Sequence, residues 1–214
     1  MTALMLLEDG PADAQCRLLL AHGAGAAMDS PFLDTFAALI AERGIATTRF
    51  EFDYMAARRT SPKRKPPPKA EFLVQQYERA VQLVRGRMTP SERLFIGGKS
   101  MGGRVASLIA DRLHAEGLVS GLVCLGYPFH PPKTPEKLRT AHLEGMTCPA
   151  LIVQGDRDPF GARSEVEAMA LSTHIAFHWA DDGDHDLGPR GASGLTRRGN
   201  LEAAADAMAA FMAA

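Results

Sequence analysis

The stretch Gly97-Gly98-Lys99-Ser100-Met101-Gly102-Gly103 constrains this chain more than any other. It follows a short apolar run, Arg93-Leu94-Phe95-Ile96. It precedes a segment in which Val105, Leu108, Ile109 and Leu113 recur with helical spacing. The order is strand, sharp turn, helix. Gly98, Ser100 and Gly102 fill the pattern G-x-S-x-G, in which the serine sits on a strained turn that no flanking side chain may crowd. The pattern predicts a hydroxyl raised above a sheet edge, with the next backbone N–H free to help bind an oxyanion. Ser100 is therefore the candidate nucleophile. Gly98-Lys99-Ser100 also mimics the end of a phosphate-binding loop, G-x-x-x-x-G-K-[ST]. That loop needs a glycine where Arg93 stands, so phosphate cradling is rejected.

The remaining residues place this turn within a repeating pattern. Residues 3–7 and 17–21 are apolar runs that read as strands, the second leading into His22-Gly23-Ala24-Gly25. Ser30-Pro31 starts a helix whose stripe is Phe32, Leu33, Phe36, Leu39 and Ile40, ended by Gly44. A strand over 45–52 ends at Asp53-Tyr54. Residues 57–70 combine Arg58, Arg59, Lys63, Arg64, Lys65 and Lys69 with Pro62 and Pro66-Pro67-Pro68, and are expected to form an exposed loop. Its plainest role is a solvated face; gating an anionic substrate is the alternative, with a nucleic-acid or localisation patch behind it. A helix over 72–87 precedes the Ser100 strand. Then come a strand over 118–125 followed by Tyr127-Pro128-Phe129-His130, and a polar stretch at 133–147. Next are a strand over 150–154 ending in Gly155-Asp156-Arg157-Asp158, a helix over 163–171 and a strand over 174–179. The last loop, holding His185, leads to a closing helix marked by Leu201, Ala205, Met208 and Phe211. The expected fold class is α/β: one domain over 1–214, a doubly wound and mostly parallel sheet of about six to seven strands, helices on both faces and no cap domain. In such sheets the site lies beyond the carboxyl ends of the strands. Each of the polar clusters falls there.

A serine needs a base, and the base needs a carboxylate to set its tautomer. The chain order serine, acid, histidine is met by Ser100, then Asp156 or Asp158, then His185. The acid is ambiguous; Asp158 is favoured because it lies further past the strand end and precedes Pro159. His174 and His178 lie within a strand and read as structural. His22 precedes the serine and reads as a loop residue. The backbone N–H groups of Ala24 and Met101 are the expected oxyanion donors.

The composition of the 214 residues sets outer bounds. Net charge is -1, with 46% hydrophobic and 23% charged residues, so neither nucleic acid nor an anionic membrane is the expected partner. No apolar run reaches bilayer length, and the N-terminus lacks a basic n-region, so no signal peptide is expected. Cys16, Cys124 and Cys148 are scattered and fit buried thiols in a cytoplasmic protein, with no metal-ligand spacing.

These residues resemble the α/β-hydrolase superfamily over essentially the whole chain. Within it, the chain is similar to small, cap-less, dienelactone-hydrolase-like members, a subfamily that extends to a nonspecific-lethal chromatin-complex subunit and testis-expressed relatives. The carrying motifs are His22-Gly23-Ala24-Gly25, Ser30-Pro31-Phe32, Gly97 to Arg104, and Gly155 to Gly161 in the form G-x-x-D-x-x-G. The resemblance places the acid on Asp158 and the base on His185. Dienelactone hydrolases proper use cysteine where this chain has Ser100, so their substrate is not carried over. The implied activity is hydrolysis of small carboxylic esters or thioesters through an acyl-enzyme, with no cofactor and no metal. The expected pocket is shallow, lined by Tyr54, Met101, Tyr127, Phe129 and His130, and suited to small or flat acyl groups. A catalytically idle binding or scaffold protein on the same fold is the alternative, and peptidase action a third.

Overall fold

The computed structural model describes residues 4–61 and 66–214. Seven strands form one sheet: β1 (Leu6–Asp9), β2 (Cys16–Ala21), β3 (Ala46–Phe50), β4 (Arg93–Lys99), β5 (Gly121–Leu125), β6 (Ala150–Gly155) and β7 (Ile175–Ala180). Their spatial order is β1-β3-β2-β4-β5-β6-β7. Only β1 is antiparallel to its neighbour; every other pair is parallel. The strand carrying Ser100 therefore lies at the centre, paired Leu20↔Gly97 on one side and Gly97↔Val123 on the other.

Two helical layers cover the sheet. The helices α1 (Pro31–Ala41) and α7 (Arg197–Ala213) pack on one face. The helices α3 (Val74–Arg85) and α4 (Met101–Ala115) pack on the other. The period of two along β2 serves both: Leu18 and Leu20 join Phe36, Ile40, Leu201 and Met208, whereas Leu19 and Ala21 join Tyr77, Val81, Val105 and Ile109. Such a strand must be apolar throughout, as Leu18-Leu19-Leu20 is. Shorter helices, α2 (Asp53–Thr60), α5 (Ala141–Glu144) and α6 (Arg163–Val166), fill the connections.

The structure corrects the expectation for 57–70. Helix α2 runs through Arg58 and Arg59. Like charges do not forbid it because each is drawn off the helix. Arg59 forks between Glu51 and Asp29 at 2.7 and 2.8 Å, while Arg58 lies over the Tyr54 ring and donates to the Ala24 carbonyl. Residues 62–65 lie outside the described residues. Further on, the helix expected from 72 starts at Val74, after a tight turn over Ala70–Phe72, and the helix expected over 163–171 is only the single turn α6.

Tyr77 ties α3 to the sheet just before the serine turn. Its buried hydroxyl lies 2.8 Å from the Leu19 carbonyl and 2.7 Å from that of Gly97, and accepts the Gly97 N–H at 2.8 Å. Burial pushes its pKa well above the usual tyrosine value. Tyr77→Phe should lower stability by about 1–3 kcal/mol, because it leaves a buried N–H and carbonyl without a partner. Chemical denaturation checks this.

Candidate active site

Ser100 sits between β4 and α4 with φ 51° and ψ −114°. A non-glycine residue held there carries strain of about 1–3 kcal/mol. The neighbours explain how the turn closes. A Cβ on Gly98 would stand 2.5 Å from the Ala21 carbonyl oxygen and 2.7 Å from the Gly102 carbonyl carbon, and one on Gly102 would stand 2.5 Å from the same Ala21 oxygen. Only glycine lets β4, α4 and the end of β2 approach this closely. Met101 is the first residue of α4, so its N–H has no acceptor within the helix, and the positive end of the helix faces the turn.

A cleft of about 470 Å³ opens over this turn, with walls that include Gly23, Ala24, Phe32, Lys99, Ser100, Phe160, His185 and Arg197. His185 Nδ1 lies 2.8 Å from Asp158 Oδ2. Asp158 has no exposed surface. Its Oδ2 also accepts from Gln154 Nε2 at 3.0 Å, and its Oδ1 accepts the Phe160 N–H at 2.9 Å. The carboxylate is thus fixed from three sides with one oxygen on the imidazole. Asp156 is not in that contact. Its backbone N–H donates to Ala180, and its Oδ1 is buried with no hydrogen bond among the described residues.

The loop carrying His185 is held as firmly. Asp184 Oδ1 accepts the N–H groups of Asp186 and Gly188 at 2.9 and 2.8 Å. Asn200 on α7 donates to the Asp181 and Leu187 carbonyls. The buried Lys99 ammonium donates to the His185 carbonyl at 2.6 Å and pairs with Asp186 at 3.3 Å. Desolvation lowers the Lys99 pKa, and Asp186 opposes that shift. Lys99 is therefore a strut under the histidine loop. Gly126 leaves room for it, since a Cβ there would stand 2.9 Å from both Lys99 Nζ and the His185 carbonyl oxygen. The Phe160 ring lies against the His185 ring at a tilt of 37°, with centroids 4.4 Å apart.

His22 is a structural residue. Its Nε2 accepts the Phe52 N–H at 3.2 Å, so its proton lies on Nδ1, which donates to the Gly23 carbonyl at 2.6 Å. Burial lowers its pKa below 6.5. The Tyr54 hydroxyl lies 3.3 and 3.2 Å from the Gly23 and Ala24 carbonyls. A histidine kept neutral in the fold but protonated when unfolded costs stability as pH falls below its unfolded pKa. Acidification from pH 7.5 to 5.5 should therefore lower Tm. His142 and His178, also lowered by burial, act in the same direction. His22→Gln should lessen the loss of stability on acidification, measured by denaturation at several pH values.

The expected pocket lining needs correction. Tyr127 and Phe129 are fully buried and His130 nearly so. Tyr127 and Phe129 pack edge to face against each other, and His130 Nδ1 lies 3.0 Å from the Pro131 carbonyl. Tyr54 braces the loop after β2 from behind. The cleft walls come instead from the loop after β2, α1, the start of α7 and the turn at Phe160. None of the five residues expected there lines the cleft, although Met101 directly follows the lining residue Ser100 in the chain. Gln154, Lys99 and Phe160 join the site only through the tertiary structure. Gln154 carried a readable signal: an amide ending a strand of apolar residues must find buried partners. A second serine–histidine contact, Ser107 Oγ to His142 at 2.8 Å, lies on α4 and α5. Ser107 donates to the Arg104 carbonyl, so it accepts from His142, and that imidazole is a donor there.

The geometry invites comparison with known proteins. A family model described as alpha/beta hydrolase domain matches residues 14–213. A dienelactone hydrolase from Anabaena variabilis superposes with a TM-score of 0.72 at 21% identity, over 97% of this chain and 90% of that one. An alpha-beta serine hydrolase homologue from Coxiella burnetii gives 0.70 at 18%, over 97% and 89%. A serine hydrolase without lid from Xanthomonas campestris gives 0.61 at 17%, over 86% and 81%. At these identities the solved structures speak for the fold. Among the described residues no helix is long and apolar enough to cross a membrane. The family match, spanning both the serine turn and the histidine loop, is decisive: the chain belongs to the alpha/beta-hydrolase family.

Proposed function

We propose that the protein is a serine hydrolase of carboxylic esters or thioesters that works through an acyl-enzyme. The observation that carries this reading is the Asp158–His185 hydrogen bond of 2.8 Å in the cleft that also holds the strained Ser100. Ser100 Oγ attacks the carbonyl carbon while His185 Nε2 takes its proton. Asp158 keeps the remaining proton on Nδ1 and stabilises the imidazolium. The Ala24 and Met101 N–H groups hold the oxyanion; losing one such donor typically costs about 3 kcal/mol. Collapse of the tetrahedral intermediate breaks the bond to the alcohol or thiol, which leaves with the proton from His185. Water then repeats the sequence on the acyl-enzyme and releases the acid.

The aromatic walls, Phe32 and Phe160, suit an apolar or flat group beside the reacting carbonyl. The Anabaena neighbour is a dienelactone hydrolase, which supports an ester over a peptide bond. The test is a fluorophosphonate probe followed by peptide mass mapping. The expected adduct is on Ser100, lost in Ser100→Ala and kept in Ser107→Ala. An unlabelled wild-type protein would leave a binding role on the same fold as the better account.

A further inference from the structure

A second cavity of about 490 Å³ adjoins the cleft in the groove between α1 and α7, and the two share Pro31, Phe32 and Arg197. Phe32 is the partition. Its ring centroid lies 5.3 Å from Lys99 Nζ and 5.9 Å from Arg197 Cζ. Past it the groove is walled by Ala38 and Leu39 of α1 and Leu201 of α7. Thr35 also lines it, but its hydroxyl donates to the Pro31 carbonyl inside the helix at 2.8 Å. The charges, Glu42, Arg197 and Arg198, are exposed, and Arg198 is paired with Glu202 at 2.7 Å.

We propose that this groove is the chain-binding arm of the site, and that the substrate is an ester or thioester bearing an unbranched aliphatic chain. The chain runs from Ser100 past Phe32 and lies between α1 and α7. The inference rests on the ester-hydrolase reading and names its substrate class. The shared walls, Pro31, Phe32 and Arg197, make the groove an extension of one site. Its walls favour an aliphatic chain over a peptide, whose N–H and C=O groups would meet Ala38, Leu39 and Leu201 without partners. Each methylene buried there is worth roughly fourfold in affinity.

The experiment compares p-nitrophenyl laurate with p-nitrophenyl butyrate and reads the ratio of their kcat/KM values. The wild-type ratio should exceed about ten. Ala38→Trp and Thr35→Trp, both at exposed positions of α1, should each lower that ratio at least tenfold by filling the groove. Gln75→Trp, exposed on α3, should leave it at the wild-type value. A wild-type ratio near one, or a ratio that neither α1 variant changes, overturns the proposal while leaving the ester-hydrolase reading intact. Calorimetry with laurate on Ser100→Ala supplies a readout without turnover. Saturable binding that a second change, Ala38→Trp, weakens at least tenfold supports the groove, and no binding overturns it. Absence of both ester hydrolysis and fluorophosphonate labelling counts against the catalytic reading, whatever the laurate result.

Discussion

Ser100→Ala is expected to lower kcat/KM for p-nitrophenyl butyrate by about 10⁴-fold or more, leaving only what the remaining site can do without a nucleophile. The fold should be unaffected, because the Ser100 side chain makes no hydrogen bond among the described residues; its backbone N–H donates to the Leu125 carbonyl at 2.9 Å and its carbonyl accepts the Arg104 N–H at 3.0 Å, and both survive the change. Ser100→Gly separates catalysis from strain. At φ 51° a glycine pays no steric penalty, so this variant should be as inactive as Ser100→Ala yet more stable by about 1 kcal/mol. That gain corresponds to a Tm rise of about 2–4 °C in a chain of this size. Steady-state kinetics and differential scanning calorimetry on the two variants read both effects. Residual activity within tenfold of wild type would remove Ser100 from the nucleophile's role.

Gly97→Ala is expected to destabilise the protein by about 4 kcal/mol or more, or to prevent its soluble expression. Gly97 lies in the centre of the sheet, and a Cβ there would stand 1.8 Å from the Val123 carbonyl oxygen and 2.8 Å from its carbon. Both are backbone atoms of the adjacent strand. They can yield only if β4 parts from β5, which breaks ladder hydrogen bonds and shifts the Ser100 turn that follows. Overpacking in a rigid interior usually costs about 1–3 kcal/mol, and the cost rises when no side chain can move aside. The expected loss corresponds to a Tm drop of about 8 °C or more. Gly191→Ala is the control, since an added Cβ there meets nothing within 4 Å; it should change stability by less than about 0.5 kcal/mol.

Period and punctuation carried most of the fold. Alternating apolar strands and helical stripes, each strand ending in a polar cluster, were enough to expect Ser100, an aspartate at 156 or 158, and His185 beyond the carboxyl ends of one parallel sheet. Where local rules failed, a long-range partner had entered. Helix α2 continues through Arg58 and Arg59 because Glu51, Asp29 and the Ala24 carbonyl receive those guanidinium groups. Nothing within 57–70 announces them.

The aromatic residues after β5 failed for a related reason. Tyr127 and Phe129 stand at the carboxyl end of a strand, where site residues collect, yet both are fully buried and belong to the core. Burial of a ring depends on which surface happens to face it. Lys99 is a similar case. In Gly98-Lys99-Ser100 it mimics a phosphate-loop lysine, but its ammonium is used internally on Asp186 and the His185 carbonyl.

The sequence by itself determined the glycine-flanked serine turn, the chain order of serine, aspartate and histidine, and the layered sheet. Each depends on residue type at short spacing, and only glycine can flank a strained serine in this way. Tertiary structure alone decided that Asp158 rather than Asp156 meets His185, that Gln154 and Lys99 hold the acid and the histidine loop, and that the cleft is walled by α1 and the start of α7. Those outcomes depend on distances between elements far apart in the chain, set by how two helices close on one face of the sheet.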